Sequence, residues 1–339
     1  MQPGTDRALS RLSRFLLDPL SLLFKAFSCL NLRIKALRSR SFPHLFIISV
    51  DSLSFGGAGK TPLVMAIGGA LEAEGARFAL ISRGYRSRHE KSGIRVQAGH
   101  SFRDVGDEAL MLKTRFPNQE VFIGRDRLRS IAAATEAGMR ILVLDDGFQS
   151  SHIRKDFSIM LVNPSHPYFY LRHFRFLARR ADRVLQYRGA GCAAGPGGAG
   201  YDFAITGFLD ANGRPVEIDD APLVAFSALG DNDRFARDMK RFHLAAFRSF
   251  ADHHAFTRED LNALEALRKE NGAAWMVCTE KDFHKIRAVL APVPSDGDRG
   301  GARRDGLQEL PLLYARNEIQ LPDGFIPAVI EHAKRKGLL

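Results

Sequence analysis

Residues 45–50, Leu-Phe-Ile-Ile-Ser-Val, form a short apolar, β-branched run with almost no polar alternation. A strand buried on both faces of a parallel sheet reads this way. A glycine-rich turn follows, and Thr61–Ala73 then repeats apolar positions with helical spacing. The alternation continues: strands over Phe78–Ser82, Glu120–Ile123, Arg140–Leu144 and Ser158–Val162, with helices over Glu108–Arg115 and Arg127–Ala137. Strands that alternate with helices imply βαβ units and a mostly parallel sheet. Gly189–Gly200 (GAGCAAGPGGAG) holds no periodicity and reads as a linker. Beyond it, strands are expected at Asp202–Ile205, Leu223–Ser227, Leu244–Ser249 and Trp275–Thr279, with a helix over Arg258–Asn271. Pro292–Gly306 is polar and Gly/Pro-rich, as a surface loop would be. The expected division is therefore a segment 1–40, a domain 41–188, a linker 189–200 and a smaller α/β domain 201–339.

The first forty residues differ from the rest. Eight of the basic residues fall there (Arg7, Arg11, Arg14, Lys25, Arg33, Lys35, Arg38, Arg40) against Asp6 and Asp18, a surplus of six out of a net charge of +11. Leu9, Leu12, Phe15, Leu16, Leu20, Leu23, Phe24, Phe27, Leu30 and Ile34 are interleaved with them. Bases edging an apolar helical face suit an anionic membrane surface, although an ordinary helix capping the core would also be amphipathic. Asp18, Lys25 and Arg33 interrupt the run well below the roughly 20 residues that a spanning helix needs. No small-residue cleavage site follows, so a signal peptide is not expected. The bases keep apolar company and lack an RNA-reading motif, which argues against a nucleic-acid binder. The three cysteines, Cys29, Cys192 and Cys278, are scattered, without disulfide-framework or metal-ligand spacing.

The chemistry centres on Ser54-Phe-Gly-Gly-Ala-Gly-Lys-Thr61, between an expected strand and an expected helix. Gly56, Gly57 and Gly59, with Ala58 between them, let the backbone wrap a phosphate chain, and the helix start adds its positive end. Lys60 supplies a cation for the β- and γ-phosphates and Thr61 a hydroxyl for Mg²⁺. Ser54 stands where the usual expression has glycine. A second acid is needed near the metal, and the apolar run 141–144 ends on Asp145-Asp146. Acids that merely solubilise a strand end would look the same. Gly106-Asp107-Glu108 opens a helix and reads equally as a cap or as a base. Gly124-Arg125-Asp126-Arg127 could bring a cation to phosphate. Phe250-Ala-Asp-His-His-Ala-Phe256 offers a histidine near neutrality but no third metal ligand. Thr279-Glu-Lys-Asp282 either contacts nucleotide or caps a strand; as a guanine reader it would make the chain a GTPase-like or metallochaperone-like switch, though its lysine is one place late.

Together these segments resemble the tetraacyldisaccharide 4′-kinases, which phosphorylate the lipid A precursor. The resemblance rests on SFGGAGKTP (54–62), Ser82-Arg-Gly-Tyr85, Gly106-Asp-Glu108, Gly124-Arg-Asp-Arg127, Asp145-Asp-Gly-Phe-Gln149, Arg180-Ala-Asp-Arg-Val184, Phe250–Phe256 and Thr279–Asp282. It implies a P-loop NTPase-like α/β fold in two domains, ATP and Mg²⁺, a lipid-linked disaccharide acceptor and a monomer on the cytoplasmic face of the inner membrane. It implies that Ser54–Thr61 and Arg127 bind nucleotide phosphate and that Thr61 and Asp145 hold the metal. Lys60, Asp146 and Asp107 would act in the chemistry, Asp107 taking the acceptor proton with His253 in support. The sequence departs from the family at Asp51 and Ser52 (usually Gly-Asn), at Ser150 (usually His) and at Arg172-His173 (usually Arg-Glu). These departures point to a different acceptor, or to a membrane-associated nucleotide sensor that no longer transfers phosphate.

Overall fold

The computed structural model describes residues 3–54, 58–164, 171, 173–189, 199–252, 254–290 and 310–339. It opens with a long helix, α1 (Pro3–Ala36), followed by β1 (Phe46–Ser52), α2 (Lys60–Ala73), β2 (Phe78–Ser82), the short β3 (Ile94–Arg95) and α3 (Phe102–Val105). Next come α4 (Asp107–Arg115), β4 (Glu120–Ile123), α5 (Arg127–Glu136), β5 (Ile141–Asp145), β6 (Phe157–Val162) and β7 (Arg183–Tyr187), with a 3₁₀ turn at Arg175–Arg180. The second half runs β8 (Ala199–Leu209), β9 (Pro215–Val216), β10 (Leu223–Ser227), α6 (Asn232–Met239), β11 (Leu244–Ser249) and α7 (Arg258–Glu270). It ends with β12 (Trp275–Thr279), α8 (Glu280–Leu290), β13 (Leu312–Gln320) and α9 (Phe325–Arg335).

The described strands form one sheet in the order β11-β10-β12-β13-β8-β7-β6-β1-β5-β2-β4-β3, with β9 beside β8. In the first half every pairing except β3–β4 is parallel. Strand β8 joins the halves. Its start runs parallel to β7, and the rest pairs antiparallel with β13. Every residue of β1, β2 and β5 is buried, as their unbroken apolar runs require.

Helices cover both faces. On one side of the first half, α2, α4 and α9 enclose Val64, Ile67, Leu71, Leu112, Val329 and Ile330. On the other, α5 packs Ile131 and Ala134 over Ile47, Ile81 and Leu142. The second half repeats the plan. Helices α7 and α8 bury Leu264 and Ile286 against Phe226 and Met276, and α6 buries Phe235 and Met239 against Ala225 and Val277.

Most expected elements lie within one or two residues of those observed. The strand expected at Asp202–Ile205 is longer, starting at Ala199 inside the stretch read as linker; 190–198 and the loop 291–309 fall outside the described residues. Strands β7 and β13 and helices α6, α8 and α9 were not anticipated. Among the described residues, no helix is long and apolar enough to cross a membrane.

Candidate active site

A cleft of about 670 Å³ opens at the carboxyl ends of β1, β2 and β5 and is lined by residues of both halves. Parallel α/β sheets place ligands at this end because the βα turns converge there. The lining residues include Ala58, Gly59, Lys60, Thr61, Asp107, Glu108, Asp145 and Asp146 from the first half. Asp231, Arg234, Asp252 and Lys281 come from the second.

Helix α2 begins on Gly59, whose φ of 82° is left-handed. No side chain caps this end and no acid occupies its first turn, so the helix leaves its opening N–H groups for an anion. Gly59 is also required by packing. The Phe203 ring lies where a Cβ would stand. Tyr201 donates from its hydroxyl to the Ala58 carbonyl at 2.9 Å. Strand β8 thus clamps the phosphate loop with two aromatic rings spaced one residue apart. Arg234 stacks on the outer face of Phe203, 4.2 Å from its centroid. Its buried Nε has no hydrogen-bond partner among the described residues, which leaves an unused donor at the cleft.

Thr61 is buried at the start of α2. Asp145 pairs with Val50 at the ends of β5 and β1, so it sits beside the departure of the phosphate loop. Neither of its buried carboxylate oxygens has a hydrogen-bond partner among the described residues. Burial, and then the neighbouring Glu108 carboxylate, push Asp145 well above the usual carboxylate range, against the pull of Lys60 and Arg127. A buried carboxylate without a partner among the described residues, in the same cleft as Thr61, fits a divalent cation. Among the described residues no three His, Cys, Asp or Glu side chains form a closed cage. Mg²⁺ at a phosphate loop needs only one or two protein ligands, the rest being phosphate and water. Asp146 takes a left-handed φ of 59° and its amide donates to the Val50 carbonyl at 2.9 Å, turning the chain sharply after β5.

Asp107 opens α4 and lines the cleft. It is held there by Gly106, whose φ of 88° and ψ of 154° belong to a region open essentially to glycine alone. A Cβ at Gly106 would lie in ordinary contact with the Gly84 backbone at 3.4 Å, so the Gly106-Asp107 and Arg83-Gly84-Tyr85 turns rest on each other. Lys281 reaches Asp107 from the second half at 3.3 Å.

Arg127 stands apart from these residues. It is 4% exposed and absent from the cleft lining. Its guanidinium donates to the carbonyls of Ser82, Gly124 and Asp145, tying together the ends of β2, β4 and β5. It braces the site from beneath, because three carbonyls left over at the strand ends need a donor more than solvent does. Ser54 is buried under the loop, outside the cleft lining. Gly56, Gly57, Arg172 and His253 fall outside the described residues; Asp252, next to His253, lines the cleft.

The departures from the family pattern cluster behind the Asp145–Gln149 turn. Asp51 is buried and accepts from the Ser49 hydroxyl at 2.5 Å and from the Phe148 amide. Burial raises it to about 6 despite the Ser49 hydrogen bond. Lys155 donates to the Ser150 carbonyl at 2.8 Å, and burial lowers it to about 8. His173 meets Phe148 edge-on at 5.1 Å and Ser28 of α1 at 3.2 Å. The guanine-reader possibility is closed. Asp282 is fully buried and accepts from the Ala228 amide, the Thr279 hydroxyl and Lys285, so no base can reach it.

A family model described as tetraacyldisaccharide-1-P 4′-kinase matches residues 13–174 and 179–296. A tetraacyldisaccharide 4′-kinase of Nitrobacter winogradskyi is 34% identical, the match covering 84% of this chain and 87% of the relative. One from Parvibaculum lavamentivorans is 32% identical over 74% and 75%. In architecture, the crystal structure of an LpxK from Aquifex aeolicus in complex with ATP superposes with a TM-score of 0.71 at 23% identity, covering 95% of this chain and 99% of the other. With the family model matching most of its length, the chain belongs to the tetraacyldisaccharide 4′-kinase family.

Proposed function

We propose that the protein transfers the γ-phosphate of ATP to the 4′-hydroxyl of tetraacyldisaccharide 1-phosphate, a lipid A precursor. The observation that carries this reading is the single cleft in which an uncapped α2 N-terminus, Lys60, the orphaned Asp145 carboxylate and Asp107 converge. Phosphoryl transfer asks mainly for positioning and for stabilising charge on the moving group. The α2 N–H groups and Lys60 hold the β- and γ-phosphates. Thr61 and Asp145 would hold Mg²⁺, which neutralises phosphate charge when bound. Asp107 takes the proton of the attacking hydroxyl, with His253 in support, and Asp146 completes the acidic wall. Arg127 serves by fixing the strand ends that carry these groups.

The acceptor carries acyl chains, so the cleft has to lie near a membrane. On α1, Leu23, Phe27, Leu30 and Ile34 form one exposed apolar stripe, with Leu23 at 70% and Phe27 at 72% exposure. Arg33, Lys35, Arg38 and Arg40 follow it. The same helix touches the Asp145–Gln149 turn, where Lys35 donates to the Gln149 carbonyl at 3.5 Å. A stripe of this kind suits a monomer lying on the cytoplasmic face of the inner membrane. The smaller second half, from about residue 201, closes the cleft over the nucleotide.

The test is transfer of label from γ-³²P-ATP to tetraacyldisaccharide 1-phosphate in detergent micelles, with and without Mg²⁺. Labelled lipid is expected only with Mg²⁺, and Lys60→Ala should lower the rate by about 10² or more. ATP binding without labelled lipid would favour the sensor reading.

A further inference from the structure

Thr279-Glu-Lys-Asp282 is a motif that the phosphate site does not use, and the structure divides its labour. Asp282 is an anchor. Its hydrogen bonds to the Ala228 amide (2.9 Å), the Thr279 hydroxyl (2.7 Å) and Lys285 (3.1 Å) lock the start of α8 to the loop after β10, on the second-half wall of the cleft. The preceding residue, Lys281, is thereby aimed across the cleft at Asp107. Both partners are largely withdrawn from water, with side chains 17% and 12% exposed. We propose that Lys281 is a positioning residue for Asp107, holding that carboxylate ionised and pointed at the acceptor hydroxyl only while the two halves of the protein are together; this rests on the reading of Asp107 as the base.

Three observations support it. The backbone of Asp107 is fixed from the first half by Gly106 at φ 88°, so only the side chain remains to be oriented, and its cationic partner comes from the second half. Lys281 stays a cation, since burial works against its charge but Asp107, Glu108 and Asp252 outweigh it and raise its pKa. Lys281 meets Asp107 directly, and further charged groups surround it; His253, read above as supporting Asp107, lies outside the described residues. Glu108 and Asp252 are acids. His284 on α8 is driven down to about 4 by burial and Arg287, so it is neutral. On α3, Asp104 is turned to Arg88 at 2.9 Å. Lys60, Arg83 and Arg86 line the same cleft. A cation beside a carboxylate lowers the pH at which it loses its proton, and a base that must accept a proton near neutrality has to be ionised beforehand.

A strut that merely glues the halves would predict a loss of rate or stability with no change in how the rate depends on pH. The experiment compares the full-length enzyme with Lys281→Met and Lys281→Arg, measuring kcat and kcat/KM for acceptor phosphorylation across about pH 5 to 9, and the KM for ATP. Lys281→Met should move the acid limb upward by about one pH unit, with the loss of kcat confined to pH values on that limb and the KM for ATP within about twofold. Lys281→Arg should restore the limb. If Lys281→Met folds poorly, Lys281→Gln keeps a polar side chain of similar reach without the charge and reads the same limb. An acid limb at the same pH in Lys281→Met as in the parent, or absent from both across this range, overturns the proposal. Asp107→Asn at the parent rate would instead overturn the reading of Asp107 as base, an outcome distinct from any result at Lys281.

Discussion

Asp145 is an acid buried with no donor among the described residues, and an uncompensated carboxylate in a dry site is costly. In the unfolded chain it titrates near 3.8; in the folded protein its value rises to about 8. The folded state therefore binds the proton more tightly. The contribution to stability is fully present below about pH 4 and is lost as pH rises toward 8. Asp145→Asn removes the charge and keeps the shape. The nucleotide-free variant is expected to melt several degrees above the parent at pH 8 and to lose that advantage toward pH 4. Its phosphoryl transfer should be abolished. Equal melting temperatures at both pH values would mean that the carboxylate is not desolvated. The two acids were legible because an apolar run ends on them, and Lys60 and Thr61 because their spacing is chemical. The surroundings of Arg127 were not legible for a physical reason. Its place after a strand is the same whether its side chain faces ligand or the carbonyls of Ser82, Gly124 and Asp145, and only the packing of three strand ends decides that. Lys281 was visible as a letter in a motif, but its target lies 174 positions away on the other wall of the cleft.

At the scale of elements, α1 carries its own instruction. Leu23, Phe27 and Leu30 project from it, while Leu32 on the opposite side is buried and the Leu32 carbonyl accepts from Ser151 at 2.8 Å. Each exposed side chain offers about 1.5–3 kcal/mol on transfer to an apolar phase. The variant Leu23→Ser/Phe27→Ser/Leu30→Ser should release the protein from anionic phosphatidylglycerol vesicles, weakening binding at least tenfold in co-sedimentation, with little change in melting temperature. Equal sedimentation of parent and variant would leave the stripe without a membrane role. Helical spacing made this segment readable, as unbroken β-branched runs made β1, β2 and β5 readable. Strand β13 (Leu-Leu-Tyr-Ala-Arg-Asn-Glu-Ile-Gln) escaped notice because only its first residues are deeply buried and the rest alternates with charge. Helix α9 escaped because its short apolar face follows Pro322 and Gly324, which read as a turn. Its partner surface on α2 is more than 250 residues away in the chain.

Over the whole molecule, chain order and packing diverge. Residues 325–333 follow the entire second half, yet Phe325, Val329, Ile330 and Ala333 complete the core beneath α2 in the first. Lys336 adds bonds to the Leu45 carbonyl and to Asp156. Ending the chain after residue 323 should uncover that core. We expect the product to be largely insoluble, or to melt at least 10 °C lower, because several large apolar groups lose their cover at once. A truncated protein with the parent melting curve would show α9 to be an accessory.

The same return has a consequence in time. Strand β13, which bridges β12 and β8, and α9, which covers α2, are both made after the elements they join or cover. A ribosome that has translated the phosphate loop, the cleft acids and most of the second half has still completed neither core. Contacts between distant parts of a chain are slow to form and leave apolar surface open to aggregation meanwhile. Until β13 and α9 follow, the nascent protein therefore displays an unfinished nucleotide site and a bare helix face together.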